Sequence, residues 1–250
     1  MLKPPVFIAD YAACGGPSIE LSADESRHAV KVLRLSRADT VIVIDGAGTA
    51  YRGEIASIGH GPKVTINVRD ILRNFGEPRL HLTLAAALSV GEKLDMVIQM
   101  ATELGIKRIV LIESEKSKMQ LDDPRRLKSR LNRWRRVALA SAKQCRRSFV
   151  PEVSVPVSVA SFVRELESGT LGLVFHPSRK AEMLDKFGPI EGYSRISLLI
   201  GPESGFSDDE VDIALAAGFR LVSMGSRILR SQTAGPIACA LTMYLAGELS

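Results

Sequence analysis

Arg195-Ile196-Ser197-Leu198-Leu199-Ile200-Gly201-Pro202-Glu203-Ser204-Gly205-Phe206-Ser207-Asp208-Asp209-Glu210 decides the fold. Arg195 to Ile200 is a short apolar run, the pattern of a parallel strand buried on both faces. Ser207 with Glu210 three residues on has the spacing of a capping box, so a helix is expected to start at Asp208. In the loop between them, Gly201 and Gly205 permit backbone angles and close ligand approach that a Cβ would forbid, and Pro202 removes a donor and stiffens the turn. Strand, glycine-bearing loop and helix in that order belong to a βαβ unit. In open α/β sheets of such units, ligands bind at the carboxyl ends of the strands.

A second loop of this kind, Gly225-Ser226-Arg227-Ile228-Leu229-Arg230-Ser231-Gln232-Thr233-Ala234, follows the apolar run Phe219 to Met224. About ten residues separate Met224 from Pro236, longer than the two to six usual for such a connection. Short glycine motifs alone match by chance, but two such loops point to one pocket. Upstream, strands are expected at Leu80 to Leu88, Arg108 to Ile112 and Thr170 to Phe175. Helices are expected at Glu92 to Leu104, Arg125 to Arg146, Val159 to Glu167, Asp208 to Ala217 and Gly235 to Glu248. Leu94, Val97, Ile98, Ala101 and Leu104 recur at helical spacing and give the first of these an apolar stripe. The alternation predicts an α/β domain with a parallel sheet covered on both faces.

Before Pro78 the pattern is different. Asp39 to Asp45 and Ala50 to Ile58 read as strands joined by an Asp45-Gly46-Ala47-Gly48 turn, and Lys63 to Ile71 as a third. Ser22 to Leu33 reads as one helix, with Ser22 and Glu25 a capping pair. Phe75-Gly76-Glu77-Pro78 carries the breakers of a linker. The chain therefore divides into a small β-rich domain, 1–74, and a larger α/β domain, 78–250.

With 250 residues, 46% of them hydrophobic, the chain can bury a sizeable core, and a net charge of +5 favours a polyanionic partner. Its three cysteines, Cys14, Cys145 and Cys239, are widely spaced and contain no CxxC, so neither a disulfide framework nor a metal site is expected. No apolar leader and no stretch of about 20 apolar residues is present, so a cytoplasmic protein without a membrane partner is expected. Pro124 to Val150 holds ten basic residues and no acidic one. Single-sign clustering of this kind is the electrostatic footprint of nucleic-acid binding, against the plainer reading of a solvated face compensated by acids elsewhere. Trp134 within it is expected to anchor the helix to the core. His60 and His81 read as turn or surface residues.

Four separated motifs carry a resemblance, KLDMVIQMATELGI (93–106), RWRRVALASAKQCRRSFVPEV (133–153), GPESGF (201–206) and MGSRILRSQTA (224–234), and RHAVKVLRL (27–35) precedes them. In that order they resemble the RsmE family of ribosomal RNA methyltransferases, members of the SPOUT superfamily, over nearly the whole chain. The resemblance implies a SPOUT-type parallel sheet with a C-terminal trefoil knot and a PUA-like β-barrel at the N-terminus. It also implies a homodimer, a small-subunit (16S) ribosomal RNA substrate and S-adenosylmethionine as cofactor. This sequence departs from the family's glycine at Ser204, its lysine at Met100 and its threonine-glutamate pair at Ser231 and Gln232.

The cofactor residues implied are His176, Pro177, Ile200, Gly201, Gly205, Met224, Gly225, Ile228, Leu229 and Arg230. The RNA-facing ones are Arg27, His28, Lys31 and Arg34 in the first domain, and Arg133, Arg136, Gln144 and Arg147 in the basic helix. The reaction implied is methylation of uridine N3, which must lose its proton and spread negative charge onto O2 and O4. Arg230 is the candidate for stabilising that anion, with pairing to Glu203 as its alternative. Glu203 is in turn a candidate base, or else a residue fixing the loop. Gln232 cannot be a base. The departures motivate a competing reading, a catalytically weak RNA-binding relative, and a third is a SPOUT enzyme acting on another RNA position.

Overall fold

The computed structural model describes the chain except residues 1–2, 11–13, 15, 60, 62, 120, 122, 178–180, 185–189, 191 and 250, so His60 lies outside the described residues. The chain forms two compact units: Met1–Glu77 with Leu139–Val150, and Pro78–Ala138 with Pro151–Ser250. A single cut near residue 76 therefore misses the return of the 139–150 segment to the first unit.

The first unit contains strands β1 (Val6–Ile8), β2 (Ser18–Glu20), β3 (Thr40–Ile44), β4 (Thr49–Gly59) and β5 (Lys63–Arg73). They lie in the order β1-β3-β4-β5-β2. Phe7 of one edge strand and Ile19 of the other share one core with Val41, Val43, Ile55 and Ile66, as befits a sheet curled on itself. The β3–β4 turn forms as its sequence predicts. Asp45 Oδ1 accepts from the amides of Ala47 and Thr49 at 2.8 and 2.9 Å, the local bonding that favours aspartate at turns. The helix near Ser22 is shorter than expected. Ser22 caps it by accepting from Glu25 N at 3.3 Å, but α1 (Ala23–Arg27) passes at once into a π-helix, His28–Val32. Glu25 does not complete a capping box, because its carboxylate pairs with Lys143 at 2.5 Å.

The second unit has strands β6 (His81–Ala87), β7 (Arg108–Ile112), β8 (Glu152–Val153), β9 (Leu171–Phe175), β10 (Glu182–Met183), β11 (Arg195–Ile200) and β12 (Arg220–Ser223). They alternate with α2 (Lys93–Glu103), α3 (Pro124–Cys145), α4 (Val159–Arg164), α5 (Asp208–Ala216) and α6 (Ser231–Leu245); α3 ends within the first unit. The sheet order is β10-β12-β9-β11-β6-β7-β8, and every pairing is parallel. Trp134 is buried, as expected of an anchor. α6 begins at Ser231, four residues before Gly235, with Pro236 inside it. The expected ten-residue loop is accordingly shorter, because residues 231–234 are helical.

Among the described residues no helix is long and apolar enough to cross a membrane. No group of three or more His, Cys, Asp or Glu side chains among them could hold a metal ion.

Candidate active site

Strands β12, β9 and β11 are neighbours in the sheet, so the segments following their carboxyl ends converge. The segment after β11 is built by the local chemistry its sequence advertises. Gly205 N donates to Pro202 O at 2.9 Å and Gly205 has φ +73°, a left-handed conformation costly for any residue with a Cβ. Ser207 and Glu210 form the full capping box: Glu210 N donates to Ser207 Oγ at 3.2 Å and Ser207 N to Glu210 Oε2 at 2.9 Å. The buried Glu210 carboxylate also accepts from Ser114 Oγ at 2.9 Å and Glu115 N at 3.1 Å, which ties α5 to the segment after β7.

These segments line a cleft of about 110 Å³, in the position at the carboxyl ends of parallel strands where α/β sheets bind ligands. Nine of the expected cofactor residues line it: His176, Pro177, Ile200, Gly201, Gly205, Met224, Gly225, Ile228 and Leu229. Sequence reasoning missed the apolar walls, Phe175, Phe206 and Val222, and also Arg227 and Ser231. Arg230 is absent from the lining. It caps α6, its carbonyl accepting from Thr233 N and Ala234 N at 2.8 Å each, and its side chain is exposed. At Gly201 a Cβ would also meet the Phe206 ring at 3.1 Å, so packing within the loop is a further reason for glycine there.

The lining suits a nucleoside-bearing cofactor. Among the described residues Ser231 Oγ and His176 Nδ1 are buried without a partner, and the amide N–H groups of Leu229 and of the exposed Ile228 have no protein acceptor. Buried polar groups require partners, and those of Ser231 and His176 belong to the lining of this cleft. Burial lowers the His176 pKa, so the ring is neutral near pH 7.

A family described as an RNA methyltransferase domain matches residues 76–243, and a companion RNA methyltransferase PUA domain matches residues 21–67. The chain belongs to this RNA methyltransferase family. Relatives include the ribosomal RNA small subunit methyltransferase E of Synechocystis, 30% identical over 89% of this chain and 72% of that one. The protein of the same name from Bacillus subtilis is 29% identical over 91% and 90%. The crystal structure of such an enzyme from Neisseria gonorrhoeae, bound to S-adenosyl methionine, superposes with a TM-score of 0.86 at 26% identity, covering 97% of this chain and 98% of that one.

Set against the family's pattern, Ser204 leaves the cleft clear. Its hydroxyl donates to Lys116 O at 2.9 Å, and the residue is not part of the lining. Ser231 lines the cleft, and the buried Gln232 Oε1 has no partner among the described residues. Met100 is half-buried on α2.

Glu203 is ion-paired to Lys93. The hydrogen bond and charge of Lys93 hold its carboxyl below the usual range, with Lys118 and Arg230 acting in the same direction. A carboxylate held in this way is a poorer proton acceptor, which argues against Glu203 as the base and for its role in fixing the loop.

The expected RNA residues divide. Arg27, His28, Lys31, Arg34, Arg136 and Gln144 are exposed, Arg27 pairing with Asp24 at 2.9 Å. Arg133 bridges Glu92 and Asp95 of the second unit at 3.0 and 2.5 Å, so part of the helix's charge is balanced by acids on another element. Arg147 corrects the expectation outright. It is 2% exposed and pairs with the 1%-exposed Glu77 at 2.8 Å, and so offers no charge to a ligand.

Proposed function

We propose that this protein methylates N3 of a uridine in small-subunit ribosomal RNA, with S-adenosylmethionine as donor. The observation that carries the reading is the three-segment cleft, with its unpaired amides at Ile228 and Leu229, in a chain of the RNA methyltransferase family. When bound, the cofactor supplies an electrophilic methyl group. The apolar walls Phe175, Ile200, Phe206 and Val222 exclude water from it, and the backbone of the 224–229 segment offers donors at fixed positions. Gly201 and Gly205 keep the rim narrow and open. Arg230, at the start of α6, is assigned to the negative charge that develops on the uracil once N3 has lost its proton, because its guanidinium stays charged and is exposed beside the cleft. Glu203 fixes Lys93 and the loop.

The active form is a homodimer in the cytoplasm. Ile237, Leu241 and Tyr244 stand exposed on α6, an apolar surface that a second copy would cover. The trefoil knot of the SPOUT fold belongs to the same reading, supported by family membership and by the packing of α6 on α2, β6 and β11.

The test is base mapping of ribosomal RNA from a strain lacking this protein, together with calorimetric titration of the purified chain with S-adenosylmethionine. Methylation at N3 blocks the Watson–Crick edge, so it stops reverse transcription. The stop should vanish in the deletion strain and return with the wild-type chain but not with Arg230→Ala. An unchanged stop pattern, or no cofactor binding at millimolar concentration, would overturn the reading.

A further inference from the structure

The cofactor cleft has a smaller neighbour. Pro202 and Glu203 line both, and the second is completed by the Leu88–Val90 segment, Lys116, Lys118 and Ser204. The segment carrying the two lysines is fastened in place. Ser204 Oγ donates to Lys116 O at 2.9 Å, Lys116 Nζ donates to Phe206 O at 3.1 Å, and Ser114 Oγ and Glu115 N donate to Glu210 at 2.9 and 3.1 Å. A lysine next to so many ties is held where it can meet a ligand at little further loss of backbone entropy.

Glu203 stands on the ridge between the clefts, ion-paired with Lys93, and lines the second cleft together with Lys116 and Lys118. Three cations surround one carboxylate, which leaves two positive charges beside the place where the target base would enter. A local excess of this kind attracts anions. An RNA nucleotide undergoing N3 methylation presents two: the phosphodiester that follows its ribose into the site, and the uracil as it loses its proton. An extruded base also needs its flanking backbone held, because phosphate contacts set register while the pocket reads the base. The second cleft has no aromatic side chain on which a base could stack, and the exposed ammonium group of Lys118 at its rim suits a phosphate held at the surface.

We propose that Lys93 and Lys118 seat the phosphodiester beside the target uridine, with Glu203 as their internal counter-ion, leaving Arg230 for the base. This rests on the ribosomal RNA methyltransferase reading above, and it gives Glu203 and the 114–118 segment a purpose in substrate binding.

The experiment measures equilibrium binding of the full chain to a small-subunit rRNA transcript across a salt series, with calorimetric titration of S-adenosylmethionine on the same preparations. Lys118→Ala should weaken RNA binding about tenfold, the effect of one lost charge-assisted hydrogen bond. It should also flatten the salt slope by about 0.7–0.9, one phosphate contact. Lys118→Arg should restore both. Glu203→Gln should act in the opposite direction, tightening RNA binding roughly two- to fivefold, the magnitude of an exposed ion pair released. Cofactor affinity should be unchanged in Lys118→Ala. A Lys118→Ala protein with the wild-type salt slope, or a Glu203→Gln protein that binds RNA more weakly, would overturn the seat. This pattern among the variants, with a wild-type chain that takes up no S-adenosylmethionine, would support the seat and overturn only the enzymatic reading.

Discussion

Replacing Arg147 by alanine should unfold the first unit at a much lower temperature without altering how the protein meets RNA. The guanidinium reaches both oxygens of Glu77, at 3.2 and 2.8 Å, and Glu77 Oε1 also accepts from Phe149 N at 2.8 Å. With both side chains almost wholly excluded from water, removing the cation leaves a buried carboxylate. Breaking such a pair from one side costs about 3–5 kcal/mol. In a unit of this size each kcal/mol lowers the midpoint by about 4–8 °C, so a fall of more than about 10 °C is expected. Glu77→Ala should cost a similar amount. The pair Arg147→Met with Glu77→Leu should cost less than either single change, since it leaves no charge stranded and apolar replacement of a whole buried pair is often close to neutral. Scanning calorimetry reads the midpoints, and hydrogen exchange of β3 and β4 amides assigns the loss to the first unit. The reasoning is refuted if Arg147→Ala melts as the wild type does while the salt slope of rRNA binding falls by about one.

Gly205→Val must place a branched residue at φ +73°, which costs about 1–2 kcal/mol and crowds the cleft; calorimetry should show cofactor binding lost in a folded protein. Gly201→Ala should act indirectly, by displacing the Phe206 ring, and should weaken cofactor binding less than Gly205→Val does. His176 and His81 both have pKa values lowered from 6.5 by burial. A depressed histidine pKa means that the unfolded chain takes up the proton first, so the stability these groups contribute is present above about pH 6.5 and is lost as pH falls through the lower folded pKa. Melting temperatures recorded from about pH 8 to 5 should decline over that window, and His176→Asn should flatten the decline. Leu241→Glu charges the exposed face of α6, and light scattering at micromolar concentration should show it monomeric where the wild type is dimeric.

Much of the second unit is legible because its signals are local. The β7 and β11 boundaries coincide with their apolar runs, and the start of α5 coincides with its capping box. Failures occur where distant residues decide. Gly235 and Pro236 read as the first residues of the last helix, yet α6 begins at Ser231 and carries both inside it, because tertiary packing overrides propensity. Glu77 reads as part of a linker and Arg147 as a free charge, since nothing in either neighbourhood announces a partner 70 residues away. Arg133 similarly appears unbalanced only while its own helix is considered; its acids lie on and beside α2. The site divides along the same line. Glycines and loop positions are visible in the sequence, whereas the apolar walls from β9 and β12 need the sheet order to bring them together.

The π-helix at His28–Val32 has a consequence for how this surface can change over evolutionary time. Its widened turn is closed by Leu33 N donating to His28 O at 3.0 Å, five residues back. Such a turn amounts to an α-helix with one residue too many. Losing a single residue there, Val32 for example, would let the helix heal into α-helical turns, with the residues on either side kept nearly in phase because the wide turn already absorbs the extra residue. Arg27 and Arg34 would then keep nearly the same angular relation, with one residue fewer between them. Length variation of one residue at this point is therefore something the charged surface of the first unit can absorb without losing the geometry in which it presents Arg27 and Arg34.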